Sequence, residues 1–361
     1  MKFIDEYRDK ELIIKLTGKI EKAVGHEYTF MEVCGGHTSA IHRFGIPSLL
    51  PGRIKLISGP GCPVCVTGKD FIDKTIACSR MENVVIATFG DLIRVPGSSS
   101  TLEGERTRGA DIRIVISCLE ALEIARMNPL KKIIFPGIGF ETTAPVIALA
   151  VQTARELEVK NFSVLPAFKI LRPALENLLH DPDLRLDGLI APGHLGVIVG
   201  AKAFSFLVSQ YHLPTVVTGF KPNELWLGLT ALARQIRSGR AKLENMYPQA
   251  VSQEGNLAAK QLMKEVFQAE DTEWRGLGLV PKSGLGFGQS YRDYDARIRF
   301  SIEPIPSIEP SGCLCGSVIL GKEDPENCPH FGGACQPDHP VGPCMVSSEG
   351  TCAAHFYYPK A

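Results

Sequence analysis

The sequence predicts an α/β protein made of two parallel-sheet units and a third, cysteine-rich segment. Three observations carry this. Short Val/Ile/Leu-rich runs that end in Gly or Pro alternate with stretches of helical period, the pattern of parallel α/β layers. The chain has 361 residues, enough for two domains or slightly more at ~150 residues each. Composition changes near residue 276, and six of the 11 cysteines lie in the last 49 residues.

Residues 3–24 read as a charged amphipathic helix with Ile13, Leu16 and Ile20 on one face. Strands are expected at 28–34, 54–58, 84–89, 112–117, 132–136, 162–167, 188–191 and 215–218. Helices are expected at 68–80, 118–127, 144–157 and 200–210. This divides the chain into an N-terminal helix (1–24), two α/β units (25–145 and 146–275) and a C-terminal segment (276–361). Glu303-Pro304-Ile305-Pro306-Ser307-Ile308-Glu309-Pro310 reads as an extended connector. From Ser311 onward too few large apolar residues remain for a conventional core, and bound metal would supply folding free energy instead.

Lys+Arg and Asp+Glu both number 39. This balance argues against a nucleic-acid or polybasic membrane footprint. There is no uninterrupted apolar run of ~18 residues, and the charged start is not a signal peptide. The protein is expected to be soluble and cytoplasmic. Dense cysteines in a reducing compartment point to metal or redox chemistry rather than structural disulfides.

The motifs sit where strands end, the place where parallel sheets carry their chemistry. Cys34-Gly35-Gly36-His37-Thr38 follows the first strand. Its glycines leave room beside the sulfur. A helix starting near Thr38 would favour the thiolate of Cys34, and His37 could add charge, a proton relay or a ligand. The plain alternative is a buried structural cysteine. Gly59-Pro60-Gly61-Cys62-Pro63-Val64-Cys65 puts a Cys-x-x-Cys at a strand-to-helix junction. That arrangement suits dithiol redox chemistry or half of a metal site. Cys78 and Cys118 are expected to be small core residues.

Four polar loops follow further strands. They are Thr88-Phe89-Gly90-Asp91, Pro136-Gly137-Ile138-Gly139-Phe140-Glu141-Thr142-Thr143, Ala191-Pro192-Gly193-His194 and Thr218-Gly219-Phe220-Lys221-Pro222. Asp91, Glu141 and His194 are candidate proton-transfer or supporting groups, or else caps and turns. Gly137-x-Gly139 falls short of a dinucleotide fingerprint and there is no Walker A sequence. In the tail, Cys313-x-Cys315 is followed by Cys328, Cys335, Cys344 and Cys352 at intervals of 12, 6, 8 and 7 residues. These intervals match neither a zinc ribbon nor common ferredoxin spacings. Six thiols divide into four ligands, for an iron–sulfur cluster or zinc, plus one extra pair.

Taken together the motifs resemble the HypD family of hydrogenase maturation proteins, which helps assemble the Fe(CN)2CO group of [NiFe]-hydrogenases. The resemblance runs from about residue 28 to the C-terminus. It rests on CGGHT at 34–38, GPGCPVC at 59–65, TFGDLIRVPG at 88–97, PGIGFETTAP at 136–145, APGHLG at 191–196 and PVGPCMVSSEGTC at 340–352. It implies two α/β domains around a cleft and a C-terminal [4Fe-4S] domain. Cys313, Cys328, Cys335 and Cys352 would hold the cluster, with Cys315 and Cys344 as a redox pair beside it. Cys62 and Cys65 would be a second dithiol. Cys34 would bind the iron together with a HypC-type chaperone, and HypE would deliver cyanide, ultimately for the hydrogenase large subunit. His37, Asp91, Glu141 and His194 would support or move protons. Two other readings compete: a free-standing iron–sulfur thiol–disulfide reductase that needs Cys62 and Cys65 but not Cys34, and a zinc-stabilised binding protein.

Overall fold

Among the described residues, eleven strands form in chain order: β1 (Tyr28–Glu32), β2 (Ile54–Ser58), β3 (Val84–Thr88), β4 (Asp111–Ile114), β5 (Lys132–Gly139), β6 (Phe162–Lys169), β7 (Gly188–Pro192), β8 (Thr215–Thr218), β9 (Leu243–Asn245), β10 (Phe267–Trp274) and β11 (Gly278–Phe287). The computed structural model describes residues 10–303, 307 and 309–359. Residues 3–9 of the expected first helix, and 304–306 and 308 of the expected connector, lie outside the described residues.

The eight strands anticipated from apolar runs are all present. All five residues of β3 and all eight of β6 are buried, as in parallel sheets covered on both faces. The strands sort into two sheets. The first has the order β2-β1-β7-β8-β9 and is parallel throughout. The second has the order β10-β11-β6-β5-β3-β4, parallel from β6 to β4, with the antiparallel hairpin β10–β11 added at β6.

This corrects the expected division at 145/146. Both sheets draw strands from both sides of that point: β1 pairs with β7, and β5 with β6. The chain crosses between the sheets more than once: β3–β6 of the second fall between β2 and β7 of the first, and β10–β11 of the second follow β9. The start of the third segment moves as well, because β11 completes the second sheet. The hairpin was hidden in the sequence because β10 lies at the sheet edge and alternates charged, exposed positions with few apolar ones.

Helix Lys10–Ala23, through Leu16 and Ile20 and the Val24 that follows it, packs with helix Pro222–Ser238 (Leu225, Trp226, Leu229) over Phe30, Ile190 and Val216 on one face of the first sheet. On its other face, Met31, Val33, Leu189 and Val217 share a core with Cys62, Cys65, Cys315, Cys335, Cys344 and Cys352. The tail therefore does not lack a core. Val318, Ile319, Leu320 and Met345 join the one beneath the first sheet. Cys78 and Cys118 are buried in the second unit, as expected.

Candidate functional site

The C-terminal ends of both parallel sheets meet at one cavity of about 200 Å³. Its wall takes Cys34 from the end of β1, Gly61 and Pro63 from β2, Thr142 and Thr143 from β5, and His194 from β7. The tail adds Glu349 to the wall.

Cys34 is the N-cap of helix Gly35–Arg43, with an extended backbone. The helix thus starts three residues earlier than expected. The two cysteine loops are in contact: the Gly35 amide donates to the Gly61 carbonyl at 3.0 Å. Amides of Gly36 and His37 favour the Cys34 thiolate, but burial outweighs them. Burial, with the charges of Glu349 and Glu32, pushes the thiol up to about 12. The helix end by itself does not make Cys34 a ready thiolate, because burial costs the charge more than the two amides return.

Two carboxylates that the sequence reading did not single out flank Cys34. Glu32, 2% exposed, accepts the Cys34 amide at 2.9 Å and the Thr38 hydroxyl. Burial raises it to about 7. A charged residue inside the apolar run Tyr28–Val33 was the available signal. Glu349 is also raised by burial, with Asp91 adding repulsion. It packs on Gly35, where an added Cβ would fall 2.4 Å from the Glu349 Cβ.

His37 is fully buried. Its Nε2 donates to the Gly219 carbonyl at 3.0 Å, with the Thr218 hydroxyl at 3.1 Å. That carbonyl assigns the proton to Nε2 and leaves Nδ1 a buried acceptor, without a partner among the described residues. Burial lowers its pKa to about 4, so it brings no positive charge to Cys34. His37 and His194 both stack on Phe220, at 4.5 and 3.8 Å between ring centres. Burial also lowers the His194 pKa.

Unfolded His37 has an ordinary pKa of about 6.5, so below that pH the unfolded chain binds a proton that the folded one refuses. Stability attributable to His37 is complete above pH 6.5 and is lost as pH falls from 6.5 to about 4. The total is on the order of 3 kcal/mol. His37→Gln is expected to flatten this part of the pH–stability curve, measured by urea unfolding at pH 7, 5.5 and 4.5.

The other sequence candidates divide. Glu141 is off the cavity wall. Its carboxylate accepts the Leu171 amide at 3.2 Å and caps helix Leu171–Leu179, and burial raises it to about 7. Asp91 is exposed on a short turn after β3 and reaches the site only through its charge on Glu349. Cys62 and Cys65 form a disulfide in a short helix, Pro63–Val66, that packs against helix Pro343–Val346, which carries Cys344.

In the tail the Cys315 and Cys344 sulfurs lie 3.0 Å apart. The Cys344 hydrogen bond, then the charge of Arg275, lower Cys315, while Cys344 is held up by its thiol neighbours. Cys313 is pushed up to about 12 by burial, and Cys315, Cys328 and Cys352 are close enough to add to this. The Cys335 sulfur accepts the Val341 amide at 3.3 Å. Among the described residues, no three His, Cys, Asp or Glu side chains stand in a ready metal-ligating arrangement. No helix among them is long and apolar enough to cross a membrane.

Fold and site define a class: an α/β protein in which a parallel sheet, a mostly parallel sheet and a thiol-rich tail line one cavity that holds a cysteine, with further thiols packed nearby. The chain belongs to the HypD family, whose role is in hydrogenase maturation. The family model, described as "Hydrogenase formation hypA family", matches residues 11–359. The hydrogenase maturation factor HypD of Escherichia coli (strain K12) is 41% identical over 366 residues, covering 99% of this chain and 98% of the relative. The hydrogenase expression/formation protein HupD of Azotobacter chroococcum mcd 1 is 42% identical over 367 residues, covering 99% and 97%. HypD of Rhizobium leguminosarum bv. viciae is 42% identical over 371 residues, covering 99% and 96%.

Proposed function

We propose that this chain is a cytoplasmic scaffold on which the Fe(CN)2CO group of [NiFe]-hydrogenase is assembled. Cys34 holds the cargo iron jointly with a cysteine of a HypC-type chaperone, and HypE delivers cyanide. The finished group is destined for the hydrogenase large subunit. One observation carries this reading: Cys34 lines a small cavity of about 200 Å³ built from both sheets and the tail. That is below the ~300 Å³ of typical small-molecule sites, so it suits an iron with diatomic ligands better than a nucleotide. Low-spin iron(II) with cyanide and carbon monoxide is a soft centre and takes thiolate.

A buried neutral thiol suits a scaffold that must refuse stray electrophiles. When the cation arrives, its charge inverts the local balance and the proton leaves. Glu349 and His194 share the cavity wall with Cys34 and can take that proton. Glu32 holds the Cys34 amide and Thr38 hydroxyl, which keeps the sulfur aimed at the cavity.

Cys313, Cys328, Cys335 and Cys352 fit a [4Fe-4S] cluster by donor chemistry: Cys328 and Cys352 are close enough for their charge to bear on Cys313, and an amide is aimed at the Cys335 sulfur. The cluster would supply electrons to neighbouring thiols. Within the chain, Cys344 on its helix and the Cys62–Cys65 disulfide are packed in one core, so the two dithiols can exchange redox state across it.

The test is anaerobic purification with metal, sulfide and infrared analysis, alone and with the HypC partner from cells holding the complete maturation machinery. About four iron and four sulfide, plus extra iron with cyanide and carbonyl bands in the complex, are expected. A cluster without those bands points to a stand-alone thiol–disulfide reductase, and zinc without sulfide refutes both.

A further inference from the structure

The Cys315–Cys344 pair has an outer and an inner sulfur. A second cavity, of about 390 Å³, is lined by Lys69, Asp70, Glu273, Arg275, Cys313 and Cys315. Cys344 does not line this cavity and is 1% exposed; its helix packs against the helix of Cys65. The cavity wall is firmly built. Gly276, in the turn of the β10–β11 hairpin, lies so close to the Cys315 helix that an added Cβ would fall 2.7 Å from the Gly316 carbonyl. The neighbouring Arg275 is 7% exposed. It donates to the carbonyls of Cys65 and Thr67, each at 3.1 Å, and to Glu309.

We propose that this cavity is the docking site of a small peptide-like thiol that reduces the Cys315–Cys344 disulfide by attacking the Cys315 sulfur. The inference rests on the reading above in which the pair cycles between dithiol and disulfide. Cavity size falls within the range for small ligands. Cys315 is 5% exposed, so a slender thiol reaches it where the flat face of a folded protein does not. The wall carries Lys69 and Arg275 with Asp70, Glu273 and Glu309. Arg275 is already held by Glu309, and Asp70 by Lys74, so Glu273 is left to meet the ammonium group of a peptide-like thiol.

In the first step the small thiolate bonds to Cys315 Sγ and the Cys315–Cys344 bond breaks. Cys344 leaves as thiolate and takes up a proton. A second thiolate attacks the small-molecule sulfur of the mixed disulfide, and Cys315 leaves. Two thiols become one disulfide, and two electrons and two protons pass to the protein pair. Both sulfurs are then thiols, and the helix that carries Cys344 packs against the helix of Cys65.

The test uses full-length, cluster-loaded protein and oxidised glutathione, which traps the same mixed disulfide from the reverse direction. Cys344→Ser is expected to take up glutathione at Cys315 roughly ten-fold or more faster than Cys315→Ser takes it up at Cys344, because access controls exchange. Peptide mass mapping locates the adduct. Adding Glu273→Trp, at an exposed strand position on the cavity wall, is expected to slow uptake at Cys315 about ten-fold. Equal uptake at both sulfurs, faster uptake at Cys344, no effect of the tryptophan, or reduction of the wild-type disulfide by a thioredoxin-type protein but not by glutathione overturns the proposal. A wild-type chain that never forms the Cys315–Cys344 disulfide in oxidised buffer refutes the redox reading itself, and this inference with it.

Discussion

Cys34→Ala is expected to yield folded, cluster-bearing protein whose complex with the HypC partner shows no cyanide or carbonyl infrared bands. The thiol is the sulfur on the cavity wall, and the methyl of alanine donates nothing to iron. The stability cost is small, about 1 kcal/mol, because one sulfur atom is removed from a site that keeps its backbone bonds. Cys34→Ser separates ligand chemistry from space: a hydroxyl fills the position but is a harder donor that a soft iron centre disfavours, so the bands should be lost there as well. Bands that persist in either variant would remove Cys34 from the iron and leave the reductase reading in its place.

Gly61→Ala is expected to destabilise the protein by ~3 kcal/mol or more and to displace the Cys34 loop. An added Cβ would stand 2.1 Å from the Cys34 nitrogen, 2.3 Å from the Val33 carbonyl carbon and 2.4 Å from the Cys34 Cα. These are backbone atoms at the end of β1, so no side chain can swing aside. Relief requires parting the two loops, and the Gly35–Gly61 hydrogen bond with them. Gly52→Ala is the control, since nothing lies within 4 Å of its added Cβ, and it should stay within about 0.5 kcal/mol of wild type. Thermal melting of both variants checks this. Infrared bands of the complex should weaken in Gly61→Ala even at a temperature where it is folded.

Much of the site was legible in the sequence because it is built from strand ends. Cys34, Pro63, Thr142 and His194 all follow apolar runs, and a parallel sheet places such loops on one edge. Two of the polar candidates were legible only as types. Glu141 turned out to serve a helix N-terminus and Asp91 to lie outside the cavity, because a loop's sequence does not say which way its side chain turns. Glu32 and Glu349 escaped notice for opposite reasons: one sits inside a strand pattern, and the other in a tail that shows no pattern of its own.

By itself the sequence determined the α/β class, the positions of the eight apolar strands, the thiol-bearing loops and membership of the HypD family. Those follow from local periodicity and from residue types at short spacing. Tertiary structure alone decided that the two sheets interleave along the chain, that the tail completes its core under the first sheet, and that Cys34 is a neutral thiol while His37 is a neutral ring. The physical reason is the same in each case. A parallel strand finds its partner across a long crossover, and burial is the sum over neighbours brought from distant parts of the chain. Both the pairing of β1 with β7 and the protonation of Cys34 depend on residues more than 150 positions away.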